Sequence, residues 1–339
     1  MSIDLHAHWI PDVLADALRS RITPPMIRRG DDGRQSVQCG FGSIGLDEGF
    51  EDVQLRLSEM DRNGVSHGVL SLTTVFGIEC LPLAESLPLC RHFNDAVSAM
   101  CHAHPDRFSG LAALPVADSG ATLAEFERAM ALPGMVGALL PGDGFLSVRR
   151  AERFRTVLEA ADRRHAILLI HYGRITDDPE APRVDTSDNG HARIGTLDMQ
   201  SRLSSNMITF CLTDFLAAWP HLTVMSHNLG GNIPFEIERL DHRSLIDRPG
   251  DELPSKRIRS GRVLVDCNSL GARAIERAVE VYGAKRIVYG SDGTDFGMKW
   301  SNDAIAAARI SDADKHAILA GNAAGALARA SRSAARLAA

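Results

Sequence analysis

Short apolar runs and amphipathic stretches alternate along most of this chain. Residues 3–8, Ile3-Asp4-Leu5-His6-Ala7-His8, alternate as a strand does, and residues 12–20 follow with a helical pattern. The rhythm then breaks. Residues 21–49 hold Thr23-Pro24-Pro25, Gly30-Asp31-Asp32-Gly33, Gly40, Gly42 and Gly45, punctuation that predicts turns and short strands: a small cap or hairpin inserted after strand one. Residues 51–63 show an imperfect helical pattern closed by Asn63-Gly64. Beyond them the alternation is regular. Strands are predicted at 69–72, 108–114, 136–140, 166–170, 222–226, 263–266 and 287–289. Helices are predicted at 83–104, 121–132, 148–164, from the end of a polar 173–195 loop to 219, at 233–248 and 272–282, and, Ala-rich, over the remainder. The run Ala166-Ile167-Leu168-Leu169-Ile170 is apolar throughout, as a strand buried on both faces needs. Eight strands separated by helices predict an α/β chain closed as a (β/α)8 TIM barrel: one domain over residues 1–339 with an insertion at about 21–49. A doubly wound open sheet is the alternative, but no G-x-G-x-x-G follows strand one.

Composition narrows the function classes. The chain has 339 residues, 45% of them hydrophobic, enough for a large core. A net charge of −6 without a basic stripe argues against a nucleic-acid partner. No apolar run approaches the ~20 residues that cross a bilayer, so no membrane is expected. The first strand begins with no basic n-region or cleavage site before it. The six cysteines are scattered without a C-x-x-C pair, which suits reduced thiols in the cytoplasm.

Chemistry enters at the strand ends. Alternate residues of a strand share a face, so His6 and His8 can reach one metal ion. With thirteen histidines in the chain, an H-x-H alone is a weak signal. The strand assignment strengthens it: His171 stands just past strand five, His227 past strand six and Asp292 past strand eight. Active sites of such barrels lie at the C-terminal strand ends, so five metal-competent side chains are delivered to one rim. Zinc suits three imidazoles and a carboxylate with a position left for water; manganese and iron also fit.

Several motifs then carry a family resemblance: Pro105-Asp106-Arg107-Phe108, Ala113-Leu114-Pro115, Pro234-Phe235 after His227, Gly290-Ser291-Asp292 and Gly321-Asn322-Ala323. With the rim residues, they resemble the amidohydrolase superfamily, in particular the metal-dependent decarboxylases typified by aminocarboxymuconate-semialdehyde decarboxylase. The resemblance covers nearly the whole chain and is weakest over 21–49 and 173–195. It implies one divalent transition metal, zinc first and manganese second, held by His6, His8, His171 and Asp292. It makes His227 the base that handles the activated water or its proton, with Asp292 sharing the proton work. It places Arg239 in the P-F-x-x-x-R run as the group that holds a substrate carboxylate in the neighbouring subunit of a homodimer. The implied reaction is non-oxidative decarboxylation of a small unsaturated or phenolic carboxylic acid; hydrolysis of a lactone or amide, or hydration, are the alternatives. The usual G-T-D-Y-P is replaced by Gly290-Ser291-Asp292-Gly293-Thr294, and the turn Asn228-Leu229-Gly230-Gly231 is one residue longer than the pattern. The hairpin arginine of the aminocarboxymuconate-semialdehyde decarboxylases has no match near Gln35-Ser36-Val37-Gln38. No lysine occurs before Lys256, so the bridging lysine of two-metal relatives is missing and a mononuclear site is expected. Asp295-Phe296-Gly297 matches a kinase triplet without its companions and is set aside. Of the other histidines, His191 alone, in the loop after strand five, is retained as a candidate substrate contact.

Overall fold

The computed structural model describes residues 1–40, 42–47, 49–175, 184, 187–293 and 297–337, with side chains as far as residue 331. Thr294, the kinase-like Asp295-Phe296 and much of the 173–195 loop lie outside the described residues. Eight parallel strands stand side by side in chain order: Ser2–His8, Val65–Ser71, Phe108–Ala112, Met135–Pro141, Ile167–His171, Thr223–Ser226, Leu264–Asp266 and Ile287–Val288. They are barrel strands one to eight below. The eighth meets the first through Leu5 N–H, which donates to Tyr289 O at 3.1 Å. Ser291 and Asp292 N–H then donate to His6 O at 3.2 and 2.9 Å. The predicted (β/α)8 barrel is the observed architecture.

Two apolar layers hold it. Inside, Leu5, Val69, Leu111, Leu139, Leu169, Met225, Leu264 and Val288 supply one side chain from each strand. Ala323, Ala326 and Ala330 of the last helix, Asn322–Leu337, join this interior and plug it, since alanines let a helix axis come close. Outside, helices bury one stripe each. Arg155–Arg163 buries Val157, Leu158, Ala160 and Ala161 and leaves Arg155, Glu159 and Arg163 exposed. Each fully buried Leu or Val is worth about 1.5–3 kcal/mol, which is why the pattern could be read from the chain.

The 21–49 segment is a three-stranded antiparallel sheet, Met26–Arg29, Gln35–Cys39 and Gly42–Gly45. Four elements differ from expectation. Strand two begins at Val65, four residues before 69. The helix expected over 148–164 is two pieces, Val148–Ala151 and Arg155–Arg163, joined by a 3-10 turn. The helix expected to reach 219 ends at Cys211, where the Thr213 hydroxyl takes over its backbone bonds. It donates to Thr209 O at 2.6 Å and accepts from Phe215 N at 3.2 Å. A helix over Pro254–Ser260, opened by its proline, had no expectation. No helix among the described residues is long and apolar enough to cross a membrane.

Candidate metal centre and active site

The first strand does more than alternate. Leu5 points into the barrel, so strict alternation would turn His6 and His8 to the outside. Its ladder with strand two slips between Asp4 and Ala7, and this irregularity re-aims both imidazoles at the mouth. There His6 Nε2 lies 3.0 Å from His8 Nε2, which lies 3.1 Å from His171 Nε2. Asp292 Oδ1 completes the group, 3.0 Å from His8 Nε2 and 3.5 Å from His6 Nε2. The four ligand atoms lie within 4.8 Å of one another, on buried residues. Asp292 holds this position with φ 57°, in the left-handed region that aspartate tolerates better than most residues.

The outer ring nitrogens show why these atoms converge. His6 Nδ1 donates to Asp266 Oδ2 at 3.0 Å. Ser71 Oγ gives its proton to Ala7 O at 3.1 Å and so accepts from His8 Nδ1 at 3.0 Å. His171 Nδ1 donates to Tyr172 O at 2.9 Å, with Thr74 Oγ1 at 3.0 Å. Each proton is thus held on Nδ1, and the Nε2 lone pairs face a common centre. Atoms ~2.1 Å from one ion stand ~3.0 Å apart at right angles and ~3.4 Å apart at tetrahedral angles. The shorter separations match those values. Burial lowers the pKa of all three imidazoles; at His6 the carboxylates of Asp292 and Asp266 outweigh it and push it up to about 9, whereas His8 and His171 stay below the ordinary histidine value. Three nitrogens, each oriented from behind, and a carboxylate oxygen fit one divalent metal.

His227 is buried beside this set and outside it. Its ring stacks on His171 with centroids 4.2 Å apart, and its Nε2 accepts Tyr172 N–H at 2.8 Å. Burial, then the neighbouring imidazoles, hold its pKa well below the usual histidine range, so the ring is neutral. The lone pair a base needs is therefore the one Tyr172 occupies. Arg239 is not part of the cluster. It is exposed on the helix Ile233–Asp247 and forms no salt bridge with any described residue. His191 lines the same cavity as the metal group, whereas His67 bonds Ser109 and His165 stacks on His221, as packing residues do.

The cavity encloses about 730 Å³. The barrel mouth supplies His171, Tyr172, His227 and Asp292, the inserted sheet reaches over it with Gly40 and Ile44, and Arg174 stands in its wall. Sequence reasoning named the ligands and missed what orients them: Asp266, Ser71 and Thr74. Asp266 and Ser71 end strands seven and two, so the strand-end signal that found His171 was present for both.

Comparison with known proteins agrees with this arrangement. A family profile described as Amidohydrolase matches residues 3–328. Gamma-resorcylate decarboxylase of Rhodococcus jostii is 26% identical over 287 residues, 78% of this chain and 84% of that protein. The crystal structure of 5-carboxyvanillate decarboxylase from Sphingomonas paucimobilis matches with a TM-score of 0.73 and 25% identity, covering 97% of this chain and 99% of the other. A dihydroxybenzoic acid decarboxylase from Polaromonas sp. JS666, solved with bound manganese and the inhibitor 2-nitroresorcinol, matches at 0.67 and 20% identity, covering 96% of each chain. With the profile spanning nearly its full length and the metal-competent rim in place, this chain belongs to the amidohydrolase family.

Proposed function

We propose that this protein is a metal-dependent lyase that removes CO2, without oxidation, from a small phenolic or unsaturated carboxylic acid. The observation that carries this reading is the naming of decarboxylases among its relatives in sequence and in structure. The chain also keeps a four-residue set suited to one divalent ion.

His6, His8, His171 and Asp292 hold that ion in this reading. When bound, it supplies charge that neutralises and orients the oxygens of the acid. Zinc is the proposed occupant on donor chemistry; manganese, bound in the Polaromonas protein, is its competitor. In the reaction the bond from ring or vinyl carbon to the carboxyl breaks, its electron pair stays on that carbon, and one proton replaces the lost CO2. Asp292 and His227 border the cavity where the proton must arrive, and they share its handling. His227 can take a proton at Nε2 only by releasing Tyr172 N–H, which couples proton uptake to the 171–174 segment.

The functional unit is a homodimer in which Arg239 serves the partner's cavity. Phe235, Arg239, His242 and Ile246 follow one another at helical spacing, and all are exposed. An apolar surface around an arginine with no described ion-pair partner supports an interface. One domain over 1–339, with the 21–49 insertion forming part of the cavity wall, completes the reading. Six buried, unbridged cysteines support a reducing, cytoplasmic location. The test is a panel of hydroxybenzoic and unsaturated acids, lactones and amides, assayed in parallel for CO2 and for acid release. CO2 from an acid is the expected result. Acid release from a lactone or amide without CO2 would replace the lyase by a hydrolase.

A further inference from the structure

The turn after strand six runs His227-Asn228-Leu229-Gly230-Gly231, and Asn228 and Leu229 both sit in the left-handed region, at φ 51° and 52°. Asparagine tolerates that region better than most residues, which suits it to this place. The turn is fastened from two sides. Asn228 N–H donates to Asp266 Oδ1 at 3.1 Å, the carboxylate whose other oxygen accepts from His6 Nδ1. Tyr282 OH donates to Leu229 O at 2.9 Å. Asn228 is almost fully buried, yet it lines the cavity beside His227.

Its side-chain amide spans two partners. One end lies 3.3 Å from His227 Nδ1 and the other 2.7 Å from Ser269 Oγ. A neutral imidazole carries one proton, and here a backbone donor decides where it goes. Tyr172 N–H donates to Nε2, so the ring proton sits on Nδ1. With its nitrogen toward Nδ1, the amide would set donor against donor. With its oxygen there, Nδ1–H donates to Oδ1 and the amide NH2 donates to Ser269 Oγ. The Ser269 hydroxyl then donates to Asn268 Oδ1 at 2.9 Å. Each of those protons has an acceptor.

We propose that Asn228 is a positioning residue for His227: its amide oxygen holds the ring proton on Nδ1 and reserves Nε2 for proton transfer. The use of Nε2 rests on the lyase reading, whereas the place of the ring proton does not. In that reaction Nε2 takes a proton from water, as Tyr172 N–H gives way, and passes it to the carbon that loses CO2. The ring goes from imidazole to imidazolium and back. The imidazolium bonds the amide oxygen more strongly than the neutral ring does, because the bond is then charge-assisted. Asn228 therefore acts on turnover more than on substrate binding.

The experiment uses metal-loaded protein and two variants. Asn228→Gly keeps the left-handed turn and removes the amide; Asn228→Asp keeps an oxygen toward Nδ1. In protein carrying isotope-labelled histidine, the His227 ring resonances are those missing from His227→Ala. Wild type is expected to show one ring proton, on Nδ1, exchanging slowly with water, and Asn228→Gly to exchange it much faster. A proton on Nε2 alone, or equal exchange in both proteins, would overturn the proposal whatever reaction the protein catalyses. In kinetics, Asn228→Gly should lower kcat about 10- to 100-fold, the range of a hydrogen bond to a charged group, with KM and metal content nearly unchanged. Asn228→Asp should recover most of that loss. Added to His227→Ala, Asn228→Gly should cost nothing further, because it acts through that ring. A second loss of full size in the double variant would overturn the positioning role. A wild type that releases no CO2 from any acid removes the lyase reading and the use of Nε2 with it, while the place of the ring proton is still decided by the spectrum.

Discussion

At the scale of single residues, metal-site chemistry is decided by nitrogens that face away from the metal. Asp266, Ser71 and the Tyr172 carbonyl each fix a proton on Nδ1, and the three Nε2 lone pairs point inward as a result. Asp266→Asn should weaken metal affinity by about 10- to 100-fold, the usual cost of losing such a partner; competition with a calibrated chelator measures it. Elemental analysis of the purified protein should find about one transition metal per chain, because the ligand set surrounds one centre. His171→Ala should lose that metal. His227→Ala, whose ring lies outside the set, should keep most of it and lose ~10²–10⁴-fold in rate, as general acid–base residues do. A metal-free His227→Ala beside a metal-bound His171→Ala would mean that the two roles are reversed.

At the scale of elements, the turns after the strands do the positioning. The segment after strand two carries Thr74 toward His171 and then buries Glu79 in the 3-10 turn Ile78–Cys80. Burial pushes the Glu79 carboxyl from 4.5 up to about 8, offset only in part by a hydrogen bond from its own N–H. The folded protein therefore keeps a proton that the unfolded chain gives up. Glu79's contribution to stability is fully present below pH 4.5 and is lost as the pH climbs through about 8. Glu79→Gln, which stays neutral, should escape this loss. The melting temperature of wild type minus that of Glu79→Gln should fall steadily across the window, by calorimetry at constant ionic strength. A difference that stays flat with pH would mean that Glu79 is ionised in the fold.

At the scale of the whole molecule, the proposed homodimer is tested at one helix. The helix Ile233–Asp247 leaves Phe235 61% and Ile246 56% exposed around Arg239, more apolar surface than a solvent-facing helix needs. If two chains meet there, Arg239→Ala should lower kcat/KM by about 1.5–3 kcal/mol, the range for a lost hydrogen bond to a charged group, with metal content unchanged. Mixing Arg239→Ala with His227→Ala subunits should then restore part of the activity, because a hybrid dimer holds one site with both residues intact. Inactive hybrids despite proven subunit exchange, or a monomer at assay concentration, would return Arg239 to the surface.

What the chain determined by itself was periodic or local. Apolar runs such as 166–170 marked the strands because both faces of a barrel strand are buried, and amphipathic stretches such as 155–163 marked the helices. The strand-end rule then brought His6, His8, His171 and Asp292 to one rim from three separate strand ends. Contacts between residues distant in sequence carried no such signal. Asp266 reaches His6 across 260 positions, and a lone aspartate at a strand end looks the same whether or not a ring nitrogen waits opposite it. The slip in strand one is equally silent, since alternation alone would have sent His6 and His8 outward from Leu5. Tertiary structure also committed the His227 lone pair to Tyr172 N–H and put Arg174 in the cavity wall. Those outcomes depend on how strands two, four, five and six pack at their ends, and packing is a property of the closed barrel that no single stretch of sequence contains.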